Sequence, residues 1–243
     1  MDVHVLSLFP EMLHGFLRAS IVGRALEEER VRVHDVQIRS YSTNKHRTVD
    51  DTPYGGGSGM VMAAPPLVAA IESLPGTEGM RPHVILLTPS GRLFTQRDAE
   101  RLATLPAIAL VCGRYEGMDA RVTAYVDEEL SIGDYVLTGG ELGAAVILDA
   151  VVRLLPGVLG NQHSSIDESH GRSGTLEYPQ YTRPAVFRDV AVPLVLQKGD
   201  HKKIALWRRW HALRRTRTRR PDLFAAIALT EREQKWLDGE EPQ

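Results

Sequence analysis

Two glycine-bounded segments carry much of the polar chemistry in this sequence. In CGRYEGMD, Cys112 to Asp119, the side chains of Arg114, Tyr115 and Glu116 stand between two glycines directly after an apolar run. So dense a polar set at a strand end points to ligand contact more than to structure alone. In IGDYVLTGGELGAA, Ile132 to Ala145, a strand end runs through Gly139 and Gly140 into a helix. Bare backbone N–H and C=O groups there can grip a small ligand without side chains, which suits an adenine and its ribose. A third segment, NKHRTVDDTPYGGG, sets Lys45, His46, Arg47, Asp50 and Asp51 before a glycine run. Cations beside carboxylates and a glycine loop suit the edge of a polyanionic substrate. The overlapping YGGGSGM, Tyr54 to Met60, lacks the Gly-Lys-Ser/Thr ending of a phosphate loop, and no GxGxxG follows the first apolar run. Nucleoside triphosphate and ordinary dinucleotide sites are therefore disfavoured.

Cys112 ends the apolar run AIALVC with no histidine beside it, and reads as a small core residue. As the only cysteine it excludes an intramolecular disulfide and a cysteine-based zinc site. There is no HExxH, and the nine histidines are scattered, so no metal ligands are assigned.

The formal charge of -2 conceals an asymmetry. Residues 201–220, HKKIALWRRWHALRRTRTRR, hold nine Lys/Arg and no acid, which leaves 20 cations against 31 acids, near -11, elsewhere. A cationic segment on an anionic body makes nucleic acid the leading partner class. Ile204, Trp207, Trp210 and Leu213 recur every third residue, so one stripe can pack while Arg208, Arg209, Arg214, Arg215 and Arg219 stay outside. The N-terminal MDVHVLSLFPEM has no basic leader region, and no window reaches the roughly 18 apolar residues of a membrane helix. The expectation is a cytoplasmic protein with no membrane partner.

These segments need a scaffold. Over the first 155 or so residues, apolar runs (VHVLSLF, VRVHDVQI, HVILLT, AIALVC, VDEELSI) alternate with amphipathic stretches: MLHGFLRASIVGRALEE, Ala64 to Leu74, Thr95 to Leu105, Met118 to Val126 and Glu141 to Leu155. That pattern predicts an α/β fold, a mainly parallel sheet with helices on both faces. Ligands in such sheets lie at strand C-terminal ends, where Thr88 to Gly91, Gly113 to Gly117 and Ser131 to Gly140 all fall. After Pro156 the chain turns Ser-, Gly- and His-rich, then returns to helical patterning with Trp207, Trp210 and Trp236. The expected division is a catalytic domain over 1–160, a flexible linker or active-site loop over 161–175 and a small, mostly helical domain over 176–243.

FPEM (9–12), GRA (23–25), KHRTVDD, YGGGSGM, CGRYEG, SIGDYVLTGGE, RLLPGVLG, PQYTRP and RRPDL occur in one order along the chain. Together they resemble the bacterial tRNA (guanine-N1)-methyltransferase family, TrmD, of the SPOUT superfamily. Ser58, where proline is common, and Ala63, where a larger residue is common, depart from the pattern. The resemblance implies a C-terminal trefoil knot in the catalytic domain, an exception to the rule that chains avoid threading. It further implies a homodimer acting on tRNA and not on DNA, with S-adenosylmethionine as methyl donor, magnesium as a candidate ion and guanine N1, 3′ to the anticodon, as acceptor.

Carried over by residue, the resemblance assigns the S-adenosylmethionine pocket to Pro89, Gly113, Tyr115, Glu116, Ile132, Gly133, Asp134, Tyr135, Val136, Leu137, Gly139 and Gly140. It assigns the cation near the transferred methyl to Arg153, while the polyanion-edge segment and the basic helix put His46, Arg214 and Arg215 against the tRNA. The general-base aspartate belongs to a Glu-Asp-Ser stretch that here reads Asp167, Glu168, Ser169. By spacing from LPGVLG, Glu168 takes that position and Asp167 precedes it. The chemistry needs such a group, because guanine N1 carries a proton that must leave as the nitrogen attacks the methyl. Two other classes stay open: a SPOUT ribose 2′-O-methyltransferase and a non-catalytic RNA-binding protein.

Overall fold

Strands β1 (Asp2–Ser7) and β6 (Ala107–Cys112) are buried along their whole length, because both phases of their alternation are apolar or paired. Such strands belong in the middle of a sheet covered on both faces. The computed structural model, which describes residues 1–77, 79–160, 168–171 and 173–239, builds that sheet. Besides β1 it contains β2 (Arg32–Gln37), β5 (His83–Leu93), β6 and β7 (Glu128–Ser131), in the order β2-β1-β6-β5-β7 with every pairing parallel. A small antiparallel pair, β3 (Asp50–Asp51) and β4 (Val61–Met62), lies apart from it.

Alternate residues of one strand feed different cores. Val3, Val5, Ile85, Leu87, Ile108 and Leu110 pack with α2 (Ser20–Glu27), α4 (Gln96–Leu102) and α5 (Glu141–Val152). Leu6, Val84, Leu86, Ala109 and Val111 pack with α3 (Ala64–Glu72) and the 3-10 helices Ile38–Tyr41 and Ala120–Tyr125. The single helix suggested by MLHGFLRASIVGRALEE is instead a 3-10 turn (Pro10–Leu13), α1 (His14–Leu17) and α2. Ser20 adopts φ +54, and a Cβ at Gly23 would meet the Arg18 backbone at 2.7 Å, so the chain folds back on itself there. The amphipathic stretch Met118 to Val126 is 3-10 rather than α, opened by Asp119, whose side chain accepts from Arg121 N.

The chain divides into two compact units, Met1–Gly160 and Asn161–Gln243. The described part of the second has a hairpin, β8 (Val186–Phe187) with β9 (Val190–Ala191), and helices α6 (Leu194–Gln197), α7 (His201–Arg219), α8 (Pro221–Phe224) and α9 (Glu231–Leu237). The Asp200 side chain caps α7, accepting from Lys202 N and Lys203 N at 3.1 Å. Trp210, Ala212, Leu213 and Thr216 are the buried side of α7, and Trp210 Nε1 donates to the Trp236 carbonyl at 3.4 Å.

The expected outward set of arginines needs correction. Arg208, Arg214 and Arg219 are exposed, but Arg209 is half-buried and donates to Glu233 at 2.6 Å. Arg215 is also half-buried, and its Nε is buried without a hydrogen-bond partner. A helix turns every 3.6 residues, so a stripe read at period three drifts and pulls its flanking residues inward.

Candidate active site

Strand β5 is the point at which the chain reverses its direction of sheet growth, adding β6 on one side and β7 on the other. Crevices form at the C-terminal ends of strands around such a switch. Here the crevice is deepened by a bulge. Leu130 of β7 is opposite both Leu87 and Arg92, so Thr88 to Gly91 is extruded from the ladder. Gly91 makes this possible, since a Cβ there would lie 2.6 Å from Leu130 N.

The resulting cavity, about 430 Å³, lies in the first unit and is bounded by Thr88–Ser90, the Gly113–Ala120 loop and the Ser131–Gly140 loop. The last two loops are joined by backbone. Gly140 N donates to the Gly113 carbonyl at 2.9 Å, and a Cβ on Gly140 would stand 2.7 Å from Cys112 Cα. Tyr115 holds φ +61, a left-handed conformation costly for a non-glycine residue, at the mouth of the cavity. Ser131 Oγ and the Gly133 backbone exchange contacts at 3.1 and 3.2 Å, and Tyr135 OH donates to the Ile132 carbonyl at 3.1 Å, which gives the second loop a fixed internal shape.

Of the twelve residues assigned to the nucleoside pocket, Pro89, Gly113, Tyr115, Glu116, Ile132, Gly133, Tyr135, Val136, Leu137, Gly139 and Gly140 line this one cavity. Asp134 is not in its lining. Arg114, part of the polar set in CGRYEGMD but not among the twelve, and Asp119 line it as well. Two contacts with Arg121, at 2.5 and 2.9 Å, hold the Asp119 carboxyl low, at about 2, so it stays anionic at neutral pH. Cys112 is fully buried; burial foremost, then the Glu141 carboxylate, pushes its thiol up, which removes it as a nucleophile.

The glycine loop Tyr54 to Met60 joins β3 to β4 and meets the first cavity loop, Glu116 N donating to the Met60 carbonyl at 3.0 Å. His46 is exposed on the segment before it. Arg153 is not beside the cavity: it caps the far end of α5, about 20 Å from Gly140 at 1.5 Å per helical residue. Asp167 lies outside the described residues. Glu168 opens a turn in the second unit, its carbonyl accepting from Gly171 N at 3.0 Å, while Ser169 Oγ accepts from Glu177 N at 2.9 Å. Among the described residues, no three His, Cys, Asp or Glu side chains group as metal ligands, and no helix is long and apolar enough to cross a membrane.

The family profile of tRNA (Guanine-1)-methyltransferase TrmD matches residues 1–226. The chain belongs to that family. Proteins named tRNA (guanine-N(1)-)-methyltransferase from Thermomicrobium roseum and Moorella thermoacetica are each 55% identical to it, covering 98% of this chain and 88% and 96% of their own lengths. One of the same name from Myxococcus xanthus is 54% identical, over 99% of this chain and 97% of its own. Membership of TrmD makes the chain a tRNA-directed methyltransferase, and such an enzyme uses S-adenosylmethionine. The cavity suits that molecule, with close-packed glycine backbone for a flat nucleoside and hydroxyl, carbonyl and carboxylate groups at its rim.

Proposed function

We infer that this chain transfers the methyl group of S-adenosylmethionine to N1 of the tRNA guanine 3′ to the anticodon, and that the cavity at the ends of β5, β6 and β7 holds the donor. The carrying observation is the convergence of three sequence-distant glycine loops on one cavity in a chain of the TrmD family. S-adenosylmethionine supplies an electrophilic methyl on its sulfonium. The chain's part is to hold donor and guanine in line, which contributes roughly 7–11 kcal/mol when orientation is prepaid. As the N1–C bond forms and the S–C bond breaks, a carboxylate of the Asp167–Ser169 stretch accepts the N1 proton, and Glu168 has the spacing for that role. Arg153 then faces O6, where negative charge develops.

Within the first unit α5 separates Arg153 from the cavity. We read the enzyme as a homodimer in which one subunit supplies the cofactor loops and the other Arg153 and the Glu168 turn. The exposed Leu142 and Val146, one turn apart on α5, offer an apolar face for a second copy. Membership of TrmD supports a knotted SPOUT topology for the first unit and a cytoplasmic location. The exposed cations Arg208, Arg214 and Arg219 support a tRNA-binding role for the helical domain over 176–243, which falls within the second unit, with His46 as a further contact.

The test is incubation with an unmodified tRNA transcript and methyl-labelled S-adenosylmethionine, followed by nucleoside analysis. Label in 1-methylguanosine is expected. Label in a 2′-O-methyl nucleoside, or stoichiometric donor binding with no transfer, would refute the assignment.

A further inference from the structure

Arg114 is gripped from several sides by residues to which the proposed reaction gives no task. Its Nε donates to Glu141 Oε1 at 3.2 Å, its Nη2 lies 3.0 Å from Glu141 Oε2, and its Nη1 donates to the Thr138 carbonyl at 3.2 Å. Nη2 is also 2.8 Å from Met12 Sδ, and the guanidinium carbon lies 4.7 Å from the Phe9 ring centroid. Glu141, the first residue of α5, is completely buried. Its Oε1 accepts from Ser7 Oγ at 2.5 Å, and Ser7 Oγ accepts in turn from Phe9 N at 2.8 Å. Its Oε2 makes no hydrogen bond, so among the described residues Arg114 supplies the only charge facing it.

We propose that Glu141 is a positioning residue for methyl transfer, acting through Arg114 to hold the Ser131–Gly140 loop closed against the Gly113–Ala120 loop. The reasoning follows from the shape of the guanidinium. Its planar fork has separate donor edges, and an anion fixed on one edge dictates where the others point. Glu141 is itself fixed, because Ser7 ends the central strand β1 and a buried carboxylate cannot leave its counter-charge without penalty. The Thr138 contact is thus set by the sheet rather than by the loop that carries it. The FPEM segment acquires a role on the same grounds, since the Phe9 ring lies against the guanidinium and Met12 Sδ accepts from Nη2.

The proposal rests on the reading that the cavity binds S-adenosylmethionine, and the full-length enzyme tests both. Donor affinity is measured by calorimetry on wild type, Glu141→Gln, Arg114→Lys and Ser7→Ala, with KM for tRNA and for donor from steady-state assays and a thermal midpoint for each. Glu141→Gln keeps the volume and the Ser7 contact but removes the charge. Loss of a charge-assisted contact should raise the donor Kd and KM about 10-fold or more, while KM for tRNA stays within about twofold. Arg114→Lys, which keeps the charge but not the fork, should do the same. Ser7→Ala, missing one neutral hydrogen bond, should raise the donor Kd about threefold. A wild-type donor Kd in Glu141→Gln overturns the proposal, as does a parallel rise in both KM values with a collapsed midpoint. Should Glu141→Gln fail to fold, an unchanged donor Kd in Ser7→Ala overturns it. If wild type itself binds no S-adenosylmethionine, the reading of the cavity falls and takes the proposal with it.

Discussion

The cavity loops of the first unit and helix α7 of the second are built for recognition by different physics. Around the cavity, backbone passes against backbone: Gly140 beside Cys112 and Gly91 beside Leu130 leave no space for a methyl group. On α7 the groups turned to solvent are long cationic side chains, with the buried stripe from Trp210 to Thr216 serving only to hold the helix in place. The first kind of contact is short-ranged and all-or-none; the second is long-ranged, additive and screened by salt. Substitutions in one unit should therefore change one substrate's binding and leave the other's nearly untouched.

The largest effect should come from the group that belongs to neither kind, the proposed general base. Glu168→Gln should lower single-turnover methyl transfer about 10²–10⁴-fold at saturating tRNA and donor, with both affinities retained. A normal rate in Glu168→Gln with a collapse in Asp167→Asn would move the base one residue earlier, and mild effects in both would place it elsewhere.

Next in size is Gly140→Ala. Forcing a Cβ to 2.7 Å from Cys112 Cα must separate the two loops, and overpacking of this kind costs about 1–3 kcal/mol, about 5–150-fold in donor affinity. Filter binding of tRNA should stay at the wild-type level. Equal weakening of both ligands would erase the contrast between the units.

On α7 smaller, graded effects are expected. Arg208→Ala and Arg214→Ala should each weaken tRNA binding and reduce the slope of log K against log salt by about 1, with donor affinity and thermal midpoint unchanged. Arg215→Ala sharpens the comparison. Because Arg215 is half-buried, its removal should lower the thermal midpoint and leave the salt slope nearly as it was. Identical behaviour of Arg214→Ala and Arg215→Ala would mean that both reach the RNA.

The smallest effect concerns the end of the sheet away from the cavity. His4 is buried, stacks on His34 with centroids 4.8 Å apart, and has an Nε2 without a partner. Burial first, then the neighbouring His34, lowers its affinity for a proton below the ordinary value of 6.5. The unfolded chain then binds the proton more readily, so the stabilisation is complete above 6.5 and drains away as pH falls below it. Asp2 is held below the usual carboxylate range by bonds from Arg32, against the opposing pull of burial, and its contribution starts to drain only below the ordinary 3.8 and is gone once pH falls through the lower folded value. A thermal midpoint followed from pH 7.5 to 5 should decline in wild type and flatten in His4→Gln. A flat wild-type profile would contradict the assignment.

Much of this architecture was legible in the residues. Runs apolar in both phases, such as AIALVC, belong inside a sheet, and each of the five expected runs forms a strand of the parallel sheet, with those of VRVHDVQI and VDEELSI at its edges. Gly113 to Gly117 and Ser131 to Gly140 were readable as loops at strand ends because their backbone preferences are local, whereas Thr88 to Gly91 is a bulge inside β5. Two features misled. The helical reading of Met118 to Val126 overlooked the Asp119 side chain closing a tighter turn, and the long first amphipathic stretch concealed its break at Ser20. The period-three stripe on α7 hid the inward turn of Arg209 and Arg215.

Composition, periodicity and glycine placement by themselves determined that the chain has a two-sided sheet, glycine-rich loops after β6 and β7 and a cationic helix. These are properties of neighbours in sequence, set by sterics and burial over a few residues. Which charges meet was decided only by the tertiary structure. Ser7 and Glu141 are 134 residues apart and Arg114 and Glu141 are 27, and nothing local marks them as one cluster. Strand order sets this, because it alone decides which strand ends become neighbours.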